Sequence, residues 1–581
     1  MDFKSKLKTL TKNKEIYILL IILIALFLSA PLYTRGFYTA HDTVCHISRN
    51  YATNSGLLSK QFPPLIEPSF VKGFGYAWNI FYPPLETYIN AIFSIFTSLL
   101  DALKLTIILS IALSGISMFA LLKKITKNNV LSLLAAVTYM SAPYFLSDIY
   151  VRAAMGEVIA YIFFPLLFYG LYDIFYDKGK QNYFLTIGAL GIILSHNISS
   201  LMAVTISFLF VLLNIKKLFC KDSRLQIWKN LIINGIFIIL ISLFFYGPFF
   251  EHKFATNYSI YTNQTDKEGF INNTIYPSQL FFSKTQYGSA YTLDQNMINK
   301  SMSFELGLPI IIALLFTPTV IFKIKKENRL LYVATLCTGI LFALMTTLIF
   351  PWKHLPLVPS VMQFPWRFLL VSAFTLSIIA SVNIYYILDN IKIENFYIIL
   401  ILILLYSGNY IKNTVEYDTE FNISFLYNNT VLSTQQCGYQ YEYLPTKAHN
   451  NLAYINQRSN SVIITSGTAT IENEQKDESN MTFTIKESSE NTTLELPFIY
   501  YLGYTIKIND SKIDYTESDN GFIQVTIPAY DSASVEITYT GTSLEKISFA
   551  ISIISSICFI VYIIYTEKNK KNTKSNKYLR A

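Results

Sequence analysis

The sequence predicts a polytopic α-helical membrane protein with a small β-rich domain outside the membrane. Its 581 residues are 52% hydrophobic and only 14% charged, which is far more apolar than a soluble domain. Long apolar runs alternate with short lysine clusters, which is the pattern of membrane helices and their cytoplasmic loops. After Thr414 the pattern changes to short alternating runs of β-branched and polar residues, which predict strands.

The charge distribution narrows the classes of partner. The net charge of +8 comes from lysine clusters between apolar runs and forms no basic face, so we expect membrane lipid and no nucleic acid as a partner. The five cysteines show no CxxC or metal-ligand spacing. A disulfide between Cys45 and Cys437 is an open alternative, although no spacing demands it.

Topology follows from the basic clusters. Five lysines precede the first apolar run, which predicts a cytoplasmic N-terminus and places the next segment outside. The run 80–100 contains two prolines, Glu86 and Asn90, and counting it as a span would put every later basic loop outside. We therefore interpret 80–100 as lying at, or re-entering, the outer interface. Both termini are then cytoplasmic.

This interpretation predicts about twelve spans of bilayer length. They lie near 16–34, 103–122, 129–146, 157–175, 182–196, 198–215, 230–247, 305–323, 330–350, 367–388, 395–411 and 545–565. Residues 1–411 form a transmembrane domain with outer loops at 35–102, 147–156 and 248–304, 412–543 form an extracytoplasmic β-rich domain, and 544–581 form the last span and a basic cytoplasmic tail. The cytoplasmic loops are short, which indicates that the working surface faces out.

The β-rich domain is predicted from runs such as SVIITS, MTFTIKE, YTIKIND, GFIQVTIP and SVEITYT between Ser461 and Thr540. Turn residues separate these runs, as in a small β-sandwich. They are too short and too few for a transmembrane barrel.

The first outer loop opens with YTAHDTVCHISRNY, Tyr38 to Tyr51. If a helix begins near Asp42, then Asp42, His46 and Arg49 fall at i, i+4 and i+7 on one face, beside the lipid surface. Asp42 would cap this helix, accept a proton from an attacking hydroxyl, or do both. His41 and His46 are either interfacial polar residues or substrate contacts. A metal site here is disfavoured, because no further ligand lies nearby.

Two arginines start spans from the outside, against the positive-inside preference. Arg152 would form an ion pair with Asp148 or Glu157, or grip a phosphate. Arg367 lies in QFPWR, and together the two arginines indicate a bound anion.

Other polar and aromatic residues gather at the predicted outer ends. His196 marks an outer turn, and Trp366 fits the interfacial aromatic belt. Four aromatic residues of the first loop are interfacial anchors or sugar-stacking platforms: Tyr76, Trp78, Phe81 and Tyr82.

Seven segments resemble those of bacterial membrane proteins described as 6-pyruvoyl-tetrahydropterin synthase-related. They are GFGYAWNIFYPPLETY (73–88), DIYVRAAMGEVIAY (148–161), LSHNISSLMA (194–203), YPSQLFFSKTQYGSAY (276–291), MQFPWRFL (362–369), YEYLP (441–445) and LPFIYYLGYTIKIND (496–510). The resemblance covers nearly the whole chain, and QFPWR and EYLP are its more specific parts. These proteins are similar to the YfhO-like family and, more broadly, to glycosyltransferases of the GT-C fold. The chain has no zinc-binding histidine set like that of the soluble pterin enzyme.

The resemblance implies a bacterial plasma-membrane enzyme that moves a sugar from a polyprenyl-phosphate donor to a cell-envelope polymer or glycolipid at the outer face. Asp42 matches the acid of the first outer loop that acts as catalytic base in GT-C enzymes. The donor and its phosphate would contact Arg152, Arg367, His46, Arg49, His196 and His41. The acceptor and supporting positions would be Glu157, Tyr82, Trp366, Gln363 and Glu442.

The sequence departs from two relatives of this superfamily. His41 and Thr43 flank Asp42, so the paired acids of protein O-mannosyltransferases are absent, as is the WWD motif of oligosaccharyltransferases. A cell-envelope acceptor is therefore favoured over a protein acceptor. We expect neither a cofactor nor a metal.

Two other classes remain open. A lipid or glycan transporter or flippase would favour repeated halves and polar residues at mid-membrane. A non-catalytic scaffold with a glycan-binding external domain would explain the β-rich segment but not the two outward arginines.

Overall fold

A computed structural model of the chain describes residues 14–58, 61–262, 267–289, 300–355, 358, 361–388, 393–418 and 441–578. Its α-helices are Lys14–Leu28, Thr43–Leu58, Trp78–Phe81, Leu85–Ser94, Leu99–Thr126, Asn129–Met140, Pro143–Ser147, Met155–Tyr176, Tyr183–Ile193, Asn197–Leu213, Ile215–Phe219, Arg224–Ala255, Ser259–Thr262, Lys267–Asn272, Gln279–Phe282, Leu308–Leu315, Thr317–Lys323, Lys326–Met345, Leu369–Ile387, Ile393–Thr414, Thr446–Asn450, Leu452–Gln457 and Ser543–Tyr578. Residues 419–440 lie outside the described residues. They include Cys437, so the disulfide with Cys45 considered above falls outside the described part of the chain.

Membrane-length helices are fewer than predicted. Seven helices of the described chain are long and apolar enough to cross a membrane: Leu99–Thr126, Met155–Tyr176, Arg224–Ala255, Lys326–Met345, Pro365–Ile387, Phe396–Thr414 and Ser543–Lys570. Asn129–Met140 and Pro143–Arg152 meet at a 42° bend and make an eighth if they are one broken span. The structure is that of a polytopic helical membrane protein, but it does not confirm about twelve spans.

The four remaining predicted spans are helical but short. Lys14–Leu28 has 15 described residues, Tyr183–Ile193 has 11 and Asn197–Leu213 has 17. The run 305–323 is divided into Leu308–Leu315 and Thr317–Lys323 by a turn at Phe316. A helix needs about 20 residues to cross the hydrocarbon core. Apolar runs therefore predicted where these helices lie but not how long they are.

The ambiguous segment 80–100 does not form a membrane-length helix. It contains Leu85–Ser94, a helix of 10 residues, which covers roughly 15 Å, about half of the hydrocarbon core. Ser98 then starts the next helix, its hydroxyl accepting a hydrogen bond from the Asp101 N–H at 3.1 Å. This agrees with the interpretation that 80–100 is not a span.

Eleven strands are described, most of them in the predicted β-rich segment. They are β1 (Phe37–Thr39), β2 (Glu416–Asp418), β3 (Ile463–Ser466), β4 (Thr470–Asp477), β5 (Asn480–Ser488), β6 (Thr492–Ile499), β7 (Tyr504–Ile508), β8 (Ser511–Ile513), β9 (Thr516–Glu517), β10 (Phe522–Ile527) and β11 (Tyr530–Tyr539). Two antiparallel sheets, β3-β6-β10-β9 and β4-β5-β11-β7-β8, enclose a common hydrophobic core, so a β-rich domain is present as predicted. The pair β1 and β2 joins the start of the first outer loop to residues 416–418.

The first outer loop contributes its aromatic residues to that same core. Tyr76, Trp78 and Phe81 are buried among residues of the two sheets. The Phe74 ring lies 5.1 Å from the Phe522 ring, edge to face. Three of the four aromatic residues are therefore core residues, and neither the interfacial nor the sugar-stacking interpretation describes them. Periodicity did not reveal this, because their partners come from a distant part of the chain.

Candidate functional site

The centre of the candidate site is a buried ion-pair cluster around Arg152. Arg152 ends a π-helical turn, Asp148–Arg152, and the left-handed backbone of Ala153 (φ 51°) leads directly into the next helix. Its guanidinium pairs with the Asp148 carboxylate through Nη1 and with Glu157 Oε1 at 3.0 Å through Nη2. All three side chains are buried. The two structural ion pairs considered for Arg152 thus form together.

Arg367 joins the same cluster from the turn Pro365–Phe368. Its Nη1 lies 3.3 Å from Glu157 Oε1, and its Nη2 donates to Gln363 Oε1 at 2.7 Å. Glu157 therefore bridges two arginines, while its other oxygen accepts from the Tyr144 hydroxyl at 2.9 Å. A charge-assisted network of this kind keeps both guanidinium groups in fixed positions.

Trp366 lies inside the protein and is not a belt residue. It is 1% exposed and stacks on Phe364 with ring centroids 4.7 Å apart. The Arg152 guanidinium carbon lies 4.3 Å from the centroid of its ring, within cation–π range. The belt interpretation failed because a membrane-edge Trp and a site-lining Trp have the same sequence context.

His196 connects this cluster to the first loop. Its Nε2 lies 2.9 Å from Arg367 Nη1, and its Nδ1 lies 2.9 Å from Ser199 Oγ. A guanidinium only donates, and the Ser199 N–H also donates to Nδ1 at 3.2 Å, so both ring nitrogens face hydrogen-bond donors. A Cβ on Gly156 would lie 2.8 Å from the Tyr82 hydroxyl and 3.2 Å from His196 Cδ2, so a glycine allows Tyr82 and His196 to approach.

The polar stripe of the first-loop helix, Thr43–Leu58, faces the protein interior. His46 Nδ1 and Arg49 Nη1 each lie 3.4 Å from Glu86 Oε2. Arg49 Nη2 also donates to the Pro83 carbonyl at 2.7 Å, and its guanidinium carbon lies 4.4 Å from the Tyr82 ring centroid. The prediction that the stripe lies beside the lipid surface is therefore wrong for His46 and Arg49, which are buried. Arg49 is 1% exposed and its contacts hold the first loop together.

Asp42 lies at the edge of these two clusters. The helix begins at Thr43, as predicted, and the Asp42 N–H donates to the Arg152 carbonyl at 2.9 Å. The Asp42 side chain is half-buried, and in the described chain no hydrogen bond or ion pair reaches its carboxylate. The predicted capping bond is thus not formed within that part of the chain, which leaves the carboxylate without a hydrogen-bond partner there.

A second carboxyl group, Glu442 of the YEYLP segment, lies within electrostatic range of Asp42. Burial, aided by the charge of Asp42, raises the pKa of Glu442 to about 7, although a hydrogen bond with Tyr443 and the charge of Arg367 oppose the shift. Tyr82 likewise lies within electrostatic range of both Asp42 and Arg367. The site therefore combines a carboxyl group with a pKa near neutral, Glu442, and the Asp42 carboxylate, which has no hydrogen-bond partner in the described chain.

His41 contacts the outer loop and lies within electrostatic range of Asp42 and Arg152. It is exposed, and its Nε2 lies 2.8 Å from the Gly288 carbonyl of the outer loop. Its N–H donates to the Val151 carbonyl at 3.0 Å, so its backbone anchors the loop beside Arg152.

The structure thus brings most of the predicted site residues to one end of the helical bundle. Sequence reasoning did not assign a role to Glu86 or Tyr144, although both contact predicted residues. A signal existed for Glu86, because an acid within the apolar run 80–100 requires a cationic partner. Tyr144 carried no such signal, since a tyrosine in an apolar run is ordinary.

Comparison with known proteins gives two findings. The family model described as "6-pyruvoyl-tetrahydropterin synthase related domain; membrane protein" matches residues 80–415. An "Uncharacterized protein" of Lactococcus lactis subsp. cremoris (strain MG1363) is 25% identical over an alignment of 595 positions. The alignment covers 94% of this chain and 94% of that protein. The family match includes the segments that carry Glu86, Arg152, Glu157, His196 and Arg367.

Proposed function

The chain belongs to the 6-pyruvoyl-tetrahydropterin synthase related family of membrane proteins, and we propose that it is a glycosyltransferase of the GT-C type. It would transfer a sugar from a polyprenyl-phosphate donor to a cell-envelope polymer or glycolipid at the extracytoplasmic face. The observation that carries this proposal is the position of Asp42 next to the cluster of Arg152, Glu157 and Arg367. The Asp42 N–H donates to the Arg152 carbonyl at 2.9 Å, and its carboxylate has no hydrogen-bond partner in the described chain. Free acids next to fixed cations fit a reaction that removes a proton and releases an anion.

In the proposed reaction Asp42 is the general base. Its carboxylate takes the proton of the acceptor hydroxyl as that oxygen forms a bond to the anomeric carbon. The bond from the anomeric carbon to the phosphate oxygen breaks at the same time, and the polyprenyl phosphate leaves with the electron pair. Attack opposite the leaving group inverts the configuration. A phosphate is a good leaving group, so stabilisation of its charge matters more than its protonation.

The donor phosphate is assigned to Arg367 and Trp366. Arg367 Nε and Trp366 Nε1 are buried donors with no acceptor in the described part of the chain. Leaving such a donor unpaired costs roughly 1–3 kcal/mol, and a phosphate oxygen would remove that cost. Arg152 already pairs with two carboxylates, so its proposed role is to position Glu157, and the hypothesis of a two-arginine clamp is revised to one arginine.

The remaining residues would shape the acceptor side. Glu442 and Tyr82 lie near both Asp42 and Arg367, where an acceptor hydroxyl must approach. His46 and Arg49 would hold the first loop in place through Glu86. The apolar faces of the helices at this end of the bundle would take up the isoprenoid tail.

The test compares envelope glycans and glycolipids, by mass spectrometry, in a deletion strain that expresses the wild type or a variant. Loss of one glycan or glycolipid species in the deletion is expected, with recovery by the wild type but not by Asp42→Asn. Asp101→Asn is the matched control, since Asp101 is an exposed carboxylate at the same end of the bundle and lies outside the site. An unchanged glycan profile in the deletion, or recovery by Asp42→Asn at equal expression, would overturn the proposal.

A further inference from the structure

A second cluster of ligating groups lies away from the candidate site. It forms where the long helix, Arg224–Ala255, ends and the final helix, Ser543–Tyr578, begins. The long helix contributes Glu251 and His252, and the final helix contributes Glu545. One ligand atom from each residue lies within 4.8 Å of the other two. The two helices pack closely here, since a Cβ on Gly247 would meet the Ser548 side chain at 2.2 Å.

The imidazole of His252 is the most informative member of this cluster. It is fully buried, and its Nδ1 lies 3.0 Å from the Pro248 carbonyl. A carbonyl oxygen only accepts, so Nδ1 carries the proton and Nε2 presents a lone pair. Nε2 has no hydrogen-bond partner in the described chain. The Leu502 backbone also interacts with the ring as a hydrogen-bond acceptor, and a metal ion on Nε2 would compete with that contact.

The two carboxylates are oriented by neighbouring donors. Glu251 Oε2 accepts from the Thr542 hydroxyl at 2.6 Å. Glu545 accepts from the Thr542 N–H at 3.0 Å and from the Tyr539 hydroxyl at 3.2 Å. Two carboxylates and an imidazole lone pair thus converge, and a cation between them would remove their mutual repulsion. Hydrogen bonds that orient ligands from behind are typical of metal sites.

We propose that Glu251, His252 and Glu545 bind a divalent transition-metal ion, with Zn²⁺ the best match and Mn²⁺ the next. Zinc binds imidazole nitrogen and carboxylate oxygen at about 2.0–2.2 Å in tetrahedral geometry, which places neighbouring ligand atoms about 3.4 Å apart. The three ligand atoms lie within 4.8 Å of one another, so the side chains would move together by roughly 1 Å when the ion binds. An imidazole among carboxylates favours zinc or manganese over calcium or magnesium.

The position of the site gives the ion a structural role. β11 of the outer β-rich domain ends at Tyr539, and Thr540 to Thr542 lead directly into the final helix. A metal bound to Glu545 and to the end of the long helix would therefore fix the β-rich domain on the helical bundle. No sequence spacing indicates such a site, because Glu545 is far from the other two ligands in the sequence.

The experiment uses the full chain, purified in detergent with a tag that contains no histidine, and stripped with a chelator. Zn²⁺ or Mn²⁺ is then added alone. We expect one equivalent per chain by metal analysis and a rise in Tm of several degrees. The double variant Glu251→Gln and Glu545→Gln should bind at least 100-fold more weakly. His354→Gln, which replaces an exposed histidine, should bind like the wild type.

Two results would overturn the proposal. The first is that the wild type binds neither ion more tightly than the double variant does. In that case the two carboxylates would share a proton instead of a metal ion. The other is a Tm rise that persists in the double variant. If that variant does not fold, the test is the absorption spectrum of Co²⁺ bound to the wild type. We expect one equivalent of Co²⁺ per chain, with a spectrum typical of nitrogen and oxygen ligands. Absence of this bound Co²⁺ would overturn the proposed site.

Discussion

At the residue scale, the two outward arginines differ in what they can still bind. Arg152 has both terminal nitrogens engaged by carboxylates, whereas Arg367 shares Glu157 with it and retains a buried Nε without an acceptor in the described chain. A guanidinium that is already neutralised by two acids gains little from a third anion. The unsatisfied Nε of Arg367 is therefore the reason to assign it to the phosphate, whereas Arg152 is assigned to positioning Glu157.

This difference predicts the effect of Arg367→Lys. Lysine keeps the charge but loses Nε–H and the planar arrangement of donors, so the KM for the lipid-linked donor should rise roughly tenfold, about 1.4 kcal/mol. Membranes that contain the variant, assayed across donor concentrations, provide the measurement. Arg224→Lys, at an exposed arginine on the long helix, is the control. A donor KM equal to that of the wild type would remove Arg367 from the phosphate site.

A second residue-scale prediction concerns Glu67, a buried carboxyl in the first outer loop. One of its oxygens accepts from Asn79 Nδ2 at 2.7 Å, and the other has no partner in the described chain. Burial raises the pKa of Glu67 to about 8, with the charge of Arg49 opposing the shift. The folded protein therefore binds more protons than the unfolded chain between about pH 4.5 and pH 8, and stability falls as the pH rises through that window.

Glu67→Gln should abolish this pH dependence, because the amide cannot ionise. The variant and the wild type should unfold at similar temperatures near pH 5, and at pH 9 the variant should be more stable, by on the order of a few kcal/mol. Thermal unfolding of the purified chain against pH measures the effect, with Glu536→Gln at an exposed strand position as the control. An equal gain at pH 5 and pH 9 would show that ionisation is not the cause.

Sequence reasoning succeeded at this scale where partners are close in the chain. Asp148 and Glu157 lie four and five residues from Arg152, so the ion pairs could be proposed before the structure was known. It failed for Arg49, whose partner Glu86 comes from another helix. The spacing of residues in the sequence predicts which side chains are local neighbours. It contains no information on which distant charged residue packs against them.

At the element scale, two helices approach so closely that only glycine fits between them. A Cβ on Gly188 would lie 2.2 Å from the Leu167 backbone nitrogen, and one on Gly170 would lie 2.1 Å from the Leu185 nitrogen. Small residues that allow backbones to approach are a common basis of helix association in membranes. This contact joins Tyr183–Ile193 to Met155–Tyr176, the helix that carries Glu157.

Gly188→Ala should therefore separate these helices and lower stability by roughly 1–3 kcal/mol, the usual cost of overpacking. Gly235→Ala is a matched control, since nothing lies within 4 Å of a Cβ at that position, and its helix should keep or slightly gain stability. Thermal unfolding in detergent compares the two. Equal Tm values for both variants would indicate that the helices adjust without cost.

The elements also show what periodicity can and cannot establish. His46 and Arg49 share a helix face, as their spacing predicts, but this face packs on Leu85–Ser94 instead of facing lipid, and Asp42 precedes the helix. Periodicity identifies which residues lie together and not what they face. Likewise, apolar runs located the helix Asn197–Leu213, but hydropathy does not determine where a helix ends.

At the scale of the whole molecule, the first outer loop and the β-rich domain form one unit. The Phe74 carbonyl accepts from the Ile499 N–H at 2.9 Å, and the Tyr76 hydroxyl accepts from the Tyr443 N–H at 3.1 Å. Their side chains share one hydrophobic core. The sequence divides these parts by several hundred residues, so it predicted two outer pieces, and only the packed structure reveals a single one.

A substitution in that core should therefore loosen both parts together. Phe74 is fully buried against Phe522, and Phe74→Ala removes a large side chain at a cost of roughly 3–5 kcal/mol. Limited proteolysis with mapped cleavage sites should show faster cutting both in 61–81 and in 441–542. Phe282→Ala, at a residue that is 87% exposed, should leave the pattern unchanged. Cleavage confined to 61–81, with the β-rich domain still protected, would mean that the sheets fold independently and that the shared core is not what stabilises them.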